Sequence, residues 1–517
     1  MDEMTGLSLL LLAAGALGVA ALSRRLGWPA PLLLVLAGML ASPLFPGRFT
    51  LEPEIVLLVF LPPLLYSAAL DSSYLRLRDV KRPVALLSVG LVLFTMLVVG
   101  WVVHLLVPSL PLAAAFALGA IVAPPDAVAA VAVARRLGLP RRIVTILVGE
   151  SLFNDATALT AYRVALGAAT GAAFDLLDGS WQFLLSAAGG TLVGVALAVA
   201  FGWALERMRD SLAENTAMLL IPFAAYLAAE LVHASGVISV VIVGLYLGNR
   251  MHRMGFGTRL VAAGVWKVLD FFLESIVFAL IGLQLPAVLP QGYGPWRLAG
   301  YAAAVFAATV LARFVWVFAF SYLRRDRPPV RHAIVVAWAG MRGVVSLAAA
   351  FALVDTPIPD KDLVVFLTFT TVIGTLLIQG LTFPLLIRRL RVSNEREAYE
   401  DDLAEAAAKQ QAIAAGMEAL ERIVAREGPP DEIYQDVLDQ LKTKTERRAL
   451  TAWERLGGGT AMDGAETPSA LYRRLRQEML AAEREVFVRL RDERRIDDEV
   501  LRRVMAELDF EEAILER

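Results

Sequence analysis

The chain has 517 residues, is 57% apolar and has a mean hydropathy of +0.60, which excludes an ordinary water-soluble protein and leaves room for about a dozen membrane spans of ~20 residues each. Cysteine is absent, so disulfides, thiolate nucleophiles and zinc–thiolate sites are excluded, and the four histidines, at 104, 233, 252 and 332, have no metal-ligand spacing. The net charge of −2 joins two unlike parts, since residues 1–390 hold 28 Lys and Arg against 21 Asp and Glu while 391–517 hold 21 against 30. The composition therefore describes a basic-edged membrane body, 1–390, and an acidic water-soluble tail, 391–517, neither of which looks like a nucleic-acid binder.

The N-terminus, Met1-Asp2-Glu3, is acidic, and Arg24-Arg25 follow the first apolar run. A cleaved signal peptide has the reverse order, so residues 5–23 read as a retained first span. Twelve more apolar runs fall near 29–45, 51–70, 83–106, 110–134, 143–168, 181–206, 213–232, 236–249, 262–286, 297–322, 331–354 and 363–387, making thirteen predicted spans. Every second connection is arginine-rich, from Arg24-Arg25 through Arg135-Arg136 and Arg141-Arg142 to Arg388-Arg389, and the alternate connections carry few basic residues. The positive-inside rule then puts the N-terminus outside the cell and the C-terminus in the cytoplasm.

Spans five and twelve are predicted to be interrupted, and thirteen spans invite a reading as two six-helix repeats and a connector. Span five contains Ala123-Pro124-Pro125-Asp126, and the two prolines, having no N–H, deprive the carbonyls of Ala120 and Ile121 of their helical donors. Span twelve contains Gly340-Met341-Arg342-Gly343, flexible and charged at mid-membrane. Interrupted helices at matching positions of two halves point to a transporter's binding site.

Span six carries Gly149-Glu150-Ser151-Leu152-Phe153-Asn154-Asp155-Ala156. An ionised Asp at the bilayer centre costs ~3 kcal/mol on insertion scales, so these carboxylates require a task or a partner. Helical spacing sorts the cluster into two faces, Ser151 with Asp155 and Glu150 with Asn154. A carboxylate withheld from water needs neutralising, by a proton or by a desolvated monovalent cation, and Asp155 is the residue assigned that exchange. Ser151 and Asn154 supply oxygen ligands of the kind a hard cation such as Na⁺ favours. Asp126, after the first break, reads equally as a helix cap and as an ion contact. Glu150 reads as structural, paired with Arg342 in preference to Arg163 or Arg313. Glu274 reads either as part of the ion path or as a partner of Arg313. Lys267 and Asp270 read as a pair at the inner end of span ten, and Glu230 with His233 as surface residues.

After Arg391, residues 394–427 and 467–516 have helical apolar spacing, for example Leu475, Met479, Ala482 and Val486, with breaks at 428–430 and 457–460. The tail reads as a cytosolic helical domain for dimerisation or regulation.

The octapeptide 149–156 resembles the signature of the sodium/proton exchangers of the monovalent cation:proton antiporter-1 family. The likeness extends to Pro125-Asp126-Ala127-Val128-Ala129, to 230–236, to Glu274-Ser275-Ile276-Val277-Phe278 and to Gly340-Met341-Arg342-Gly343, and so covers roughly 1–390. It implies an all-α polytopic fold of two inverted repeats with crossed broken helices, a six-helix core and a separate dimerisation domain, working as a homodimer by an elevator-like movement. It also implies a shared ion and proton site at Asp155 beside Asn154, and a structural ion pair of Glu150 with Arg342. The commonest family pattern has Thr where this chain has Pro125, so a ligand from that break is expected to be a backbone carbonyl, of Ala120, Ile121 or Ala123. The expectation is an electroneutral cell-membrane Na⁺/H⁺ antiporter without cofactors. A K⁺ or mixed Na⁺/Li⁺/K⁺ exchanger is the alternative, and a cation channel or a membrane sensor are more distant ones.

Overall fold

The computed structural model describes residues 3–26, 30–44, 56–170, 176–284, 290, 292–322, 327–353, 356–392, 394–427, 435–443 and 468–515, and among these every regular element is helical. Two compact units result, Met1–Ser393 and Asn394–Arg517. In the first, α1 (Glu3–Leu26) and α2 (Ala30–Ala41) precede a wide π turn, Val56–Phe60, that runs into α3 (Leu61–Leu70). The short α4 (Tyr74–Asp79) leads to α5 (Lys81–Leu106). Then come α6 (Leu112–Val122), α7 (Ala127–Arg136), α8 (Arg141–Ala169) and α9 (Leu176–Leu205). They are followed by α10 (Ser211–Leu231), α11 (Gly236–Arg250) and α12 (Phe256–Gln284). The unit closes with α13 (Pro295–Tyr322), α14 (Val330–Trp338), α15 (Val344–Phe351) and α16 (Lys361–Leu390).

Each apolar run of the sequence meets a helix, and the two runs expected to be interrupted are the ones that divide, into α6/α7 and α14/α15. Proline sets several starts, because its fixed φ suits the entry to a helix and its missing N–H would lack a partner there in any case. Pro111, Pro140 and Pro329 stand immediately before α6, α8 and α14. Among the described residues, five helices are long and apolar enough to cross a membrane, 81–106, 181–205, 211–231, 295–322 and 361–390.

The helices sort into two groups. In one, α2 lies on α12, and α3, α9 and α10 pack on α11. In the other, α5, α6 and α8 pack together with α13 against α5 and α15 against α16. The second group repeats a pattern, a long helix, a broken one and a long one, at 81–169 and again at 295–390. Apolar helices in lipid gain little from hydrophobic contact and depend on close packing. At the α2–α12 crossing, a Cβ on Gly282 would fall on the Val35 carbonyl, and one on Gly38 on the Ala279 carbonyl.

In the second unit, α17 (Glu395–Glu427) is followed by α18, 435–443, and by the pair α19 (Pro468–Asp492) and α20 (Asp498–Leu515). Arg476 of α19 binds Glu511 of α20 at 2.7 Å, and Arg484 binds Asp509 at 2.6 Å. Leu480 and Leu508 are buried, whereas Leu475, Met479 and Val486, the expected apolar face, remain exposed, so cross-helix charge pairs replace part of the anticipated packing. The expected breaks at 428–430 and 457–460 lie outside the described residues.

Replacing Gly282 with Leu forces α2 and α12 apart and is expected to destabilise the protein by about 1–3 kcal/mol. Thermal unfolding in detergent should show a lowered midpoint, while Gly264→Leu, where an added Cβ meets nothing within 4 Å beyond its own helix, should show none.

Candidate functional site

The first break is a proline effect: α6 ends at Val122, and α7 begins at Ala127 with Asp126 as its N-cap, the carboxylate accepting the Val128 N–H at 2.9 Å. The second break, 339–343, separates α14 from α15. The two breaks cross, and the Asp126 N–H donates to the Met341 carbonyl at 2.7 Å. A Cβ on Gly343 would overlap the Asp126 carboxylate, so only glycine lets the chains approach this closely. Arg342 serves the other side of the crossing. Its Nε donates to the Val122 carbonyl at 2.9 Å, its Nη2 to the Ala123 carbonyl at 3.4 Å and its Nη1 to the Gly340 carbonyl. Thr375 Oγ1 of α16 accepts its backbone N–H at 3.0 Å. The partly negative C-terminal ends of α6 and α14 thus meet a guanidinium, and the partly positive N-terminal ends of α7 and α15 meet a carboxylate.

Unbroken, α8 passes beside this crossing and presents the cluster on the two faces that helical spacing requires. Glu150 is fully buried and held bidentately by Arg313 of α13, with Nη2 to Oε2 at 2.9 Å and Nη1 to Oε1. Arg313 also donates to the Val336 carbonyl, through Nη2 at 3.0 Å and Nε at 3.2 Å. The expected Glu150–Arg342 pair is therefore corrected to Glu150–Arg313. The Arg342 side chain is occupied by the carbonyls that the breaks release, whereas Arg313, on a continuous helix, can offer its planar fork to both carboxylate oxygens. Asn154, 0% exposed, donates through Nδ2 to the Pro125 carbonyl at 2.7 Å and so ties α8 to the first break. Its Oδ1 has no hydrogen-bond partner among the described residues.

Ser151 and Asp155 line a cavity of about 930 Å³. Arg24, Arg135, Arg136 and Arg388, at helix ends on the arginine-rich side, also line it, as does Asp126 at the crossing. Asp155 is 8% exposed. From the opposing helix group come Asp270 and Glu274, one turn apart on α12. Asp270 accepts from Ser67 Oγ of α3 at 2.5 Å, while Lys267 is exposed, so their expected pairing is replaced by a cavity-lining carboxylate. The apolar run of α12 carried the signal: two acids four residues apart share one face. Glu274 lies on the cavity, and Arg313 belongs to Glu150. The backbone candidates Ala120, Ile121 and Ala123 are buried residues that do not line the cavity. The Ala120 carbonyl accepts the Ala123 N–H at 3.4 Å, and the Ala123 carbonyl is taken by Arg342. Toward the far end of α8, Arg163 pairs with Glu230 of α10 at 3.2 Å. The cavity thus sets carboxylate and hydroxyl oxygens, ligands of the kind hard cations and protons favour, alongside arginines from the helix ends.

Residues 9–389 match the family described as sodium/hydrogen exchanger, transmembrane. A sodium/proton exchanger of Mycobacterium tuberculosis H37Rv is 33% identical over 512 residues, covering 94% of this chain and 91% of that protein. The sodium, potassium, lithium and rubidium/proton antiporter of Bacillus subtilis 168 is 32% identical over 385 residues, 69% of this chain and 58% of that one. The solved structure of a sodium proton antiporter from Methanocaldococcus jannaschii at pH 8 superposes with a TM-score of 0.62 at 21% identity, covering 75% of this chain and 98% of that one, and shows the same fold.

Removing one member of a buried ion pair costs about 3–5 kcal/mol, so Glu150→Gln and Arg313→Ala should each lower the yield and melting temperature of folded protein. A double-mutant cycle should show strong coupling between Glu150 and Arg313. Coupling of Glu150 to Arg342 as strong as that to Arg313 would contradict the assignment.

Proposed function

This chain belongs to the sodium/hydrogen exchanger family, and we propose that it exchanges one monovalent cation for one proton by alternating access at Asp155. The observation that carries the reading is the position of Asp155, nearly buried beside the crossed breaks on the wall of a cavity that extends to the arginine-rich helix ends. A proton or a desolvated cation neutralises the carboxylate in turn, and only the neutralised core crosses the membrane. Glu150, fixed by Arg313, takes no part in the exchange, since Arg does not deprotonate in this range. One exchangeable carboxylate per chain makes the exchange electroneutral.

The membrane unit is read as thirteen spans in two inverted repeats, supported by the twice-used order of a long, a broken and a long helix. The N-terminus lies outside and the C-terminal unit in the cytoplasm, in keeping with the arginine-rich connections. On that orientation the cavity faces the cytoplasm, and Arg163–Glu230 ties the two helix groups near the outer surface. A homodimer moves the group carrying the breaks against the other group. Na⁺ is the first substrate. K⁺ is the second reading, favoured by Pro125, which offers no hydroxyl to a small ion, and by the broad cation range in the name of the Bacillus subtilis relative.

The test is proton movement in proteoliposomes under an imposed pH gradient, with Na⁺, Li⁺ or K⁺ added in turn. Cation addition should dissipate the gradient independently of voltage, and Asp155→Asn should abolish the response while leaving the amount of folded protein unchanged. Normal turnover by Asp155→Asn would overturn the reading.

A further inference from the structure

We propose that Ser346 is a ligand of the transported cation and sets the preference of the site for small over large monovalent ions; the proposal rests on the exchange reading above. Among the described residues of the membrane unit, three buried Ser and Thr hydroxyls lack a partner, Thr95, Ser239 and Ser346, and of these Ser346 is the one that lines the cavity. Many others donate one turn back along their own helix. Thr309 does so to Val305 at 2.7 Å, Thr371 to Leu367 at 2.7 Å and Ser275 to Phe271 at 2.6 Å. Ser346 makes no such bond. It stands in the first turn of α15, and the residue four positions back is Arg342, in the break and ahead of the N-cap Gly343. The Ser346 side chain is 1% exposed, and its Oγ has no hydrogen-bond partner among the described residues. Buried polar atoms in this condition are few in folded proteins and call for a ligand or a water.

The surroundings favour a cation. Ser346 lines the same cavity as Ser151, Asp155 and Asp126, and α15 packs against α8. Neither break supplies another hydroxyl: residues 123–126 are Ala-Pro-Pro-Asp and residues 339–343 are Ala-Gly-Met-Arg-Gly. Ser346 is thus the hydroxyl that the crossing region presents to the cavity that Asp155 also lines. A serine hydroxyl does not titrate in the working range, so it acts on the cation and not on the proton. Small hard ions such as Li⁺ and Na⁺ depend most on close oxygen ligands and lose most when one is removed.

The experiment compares wild type, Ser346→Ala and Ser346→Thr in proteoliposomes, measuring cation-driven proton movement against the concentration of Li⁺, Na⁺ and K⁺. Ser346→Ala should raise KM for Li⁺ and Na⁺ about tenfold, the loss expected for one contact to a charged group, with little change for K⁺ and with kcat retained. Ser346→Thr, which keeps the hydroxyl, should restore the Na⁺ value. An unchanged KM, an equal rise for all three ions, or a uniform fall in kcat with a lowered melting temperature overturns the proposal. Should Ser346→Ala fail to accumulate, Ser346→Gly makes the same comparison. Wild-type protein that moves no protons with any cation would defeat the exchange reading itself, a result distinct from an active wild type matched by Ser346→Ala.

Discussion

Two broken helices inside a membrane leave backbone carbonyls and N–H groups with no water to satisfy them, and the rest of this structure depends on how that demand is met. Arg342 meets it at the carbonyl side, donating to Val122, Ala123 and Gly340. Asp126 meets it at the N–H side, capping α7 and lying against Gly343 at the start of α15. The carboxylate of Asp126 and the guanidinium of Arg342 thereby balance each other's formal charge at the crossing. Each break is stabilised by a side chain that belongs to the crossing, and the Asp126 N–H bond to Met341 joins the two directly.

Beside this crossing, α8 separates scaffolding from chemistry by rotation about its own axis. Glu150 and Asn154 turn inward, the first to a permanent cation on α13 and the second to the Pro125 carbonyl. Ser151 and Asp155 turn to the cavity. A buried, bidentate ion pair contributes little net stability compared with an apolar isostere but fixes the register of the helices that carry it. The register fixed here is that of α8 against α13, and it holds Asp155 at the cavity wall. The opposite wall, α12, is acidic as well, carrying Asp270 and Glu274.

Much of this was legible in the sequence because the relevant signals are local. The prolines at 124 and 125 and the glycines flanking Arg342 fall inside apolar runs, and breaks could be read from them alone. The two faces of α8 follow from residues four apart on one helix. The partner of Glu150 was not legible: Arg313 and Arg342 are both intramembrane arginines, and the choice between them depends on which one the released carbonyls consume. Asp270 was misread for a similar reason, because its neighbour Lys267 is close in sequence while Ser67, its actual donor, is 203 residues away. Ser346 gave no sequence signal, since its significance lies in an unpartnered buried hydroxyl on the wall of a cavity that distant segments enclose.

The central claim is that a cation and a proton compete for Asp155, and its most direct test is proton release on cation binding. Detergent-solubilised protein in weak buffer with a pH indicator, titrated with NaCl, should release about one proton for each cation bound, because linkage requires the bound proton to leave as the cation enters. The Asp155→Asn protein, matched in concentration and fold, should release none. Cation binding by the wild type without proton release, or equal release from both proteins, would contradict the account.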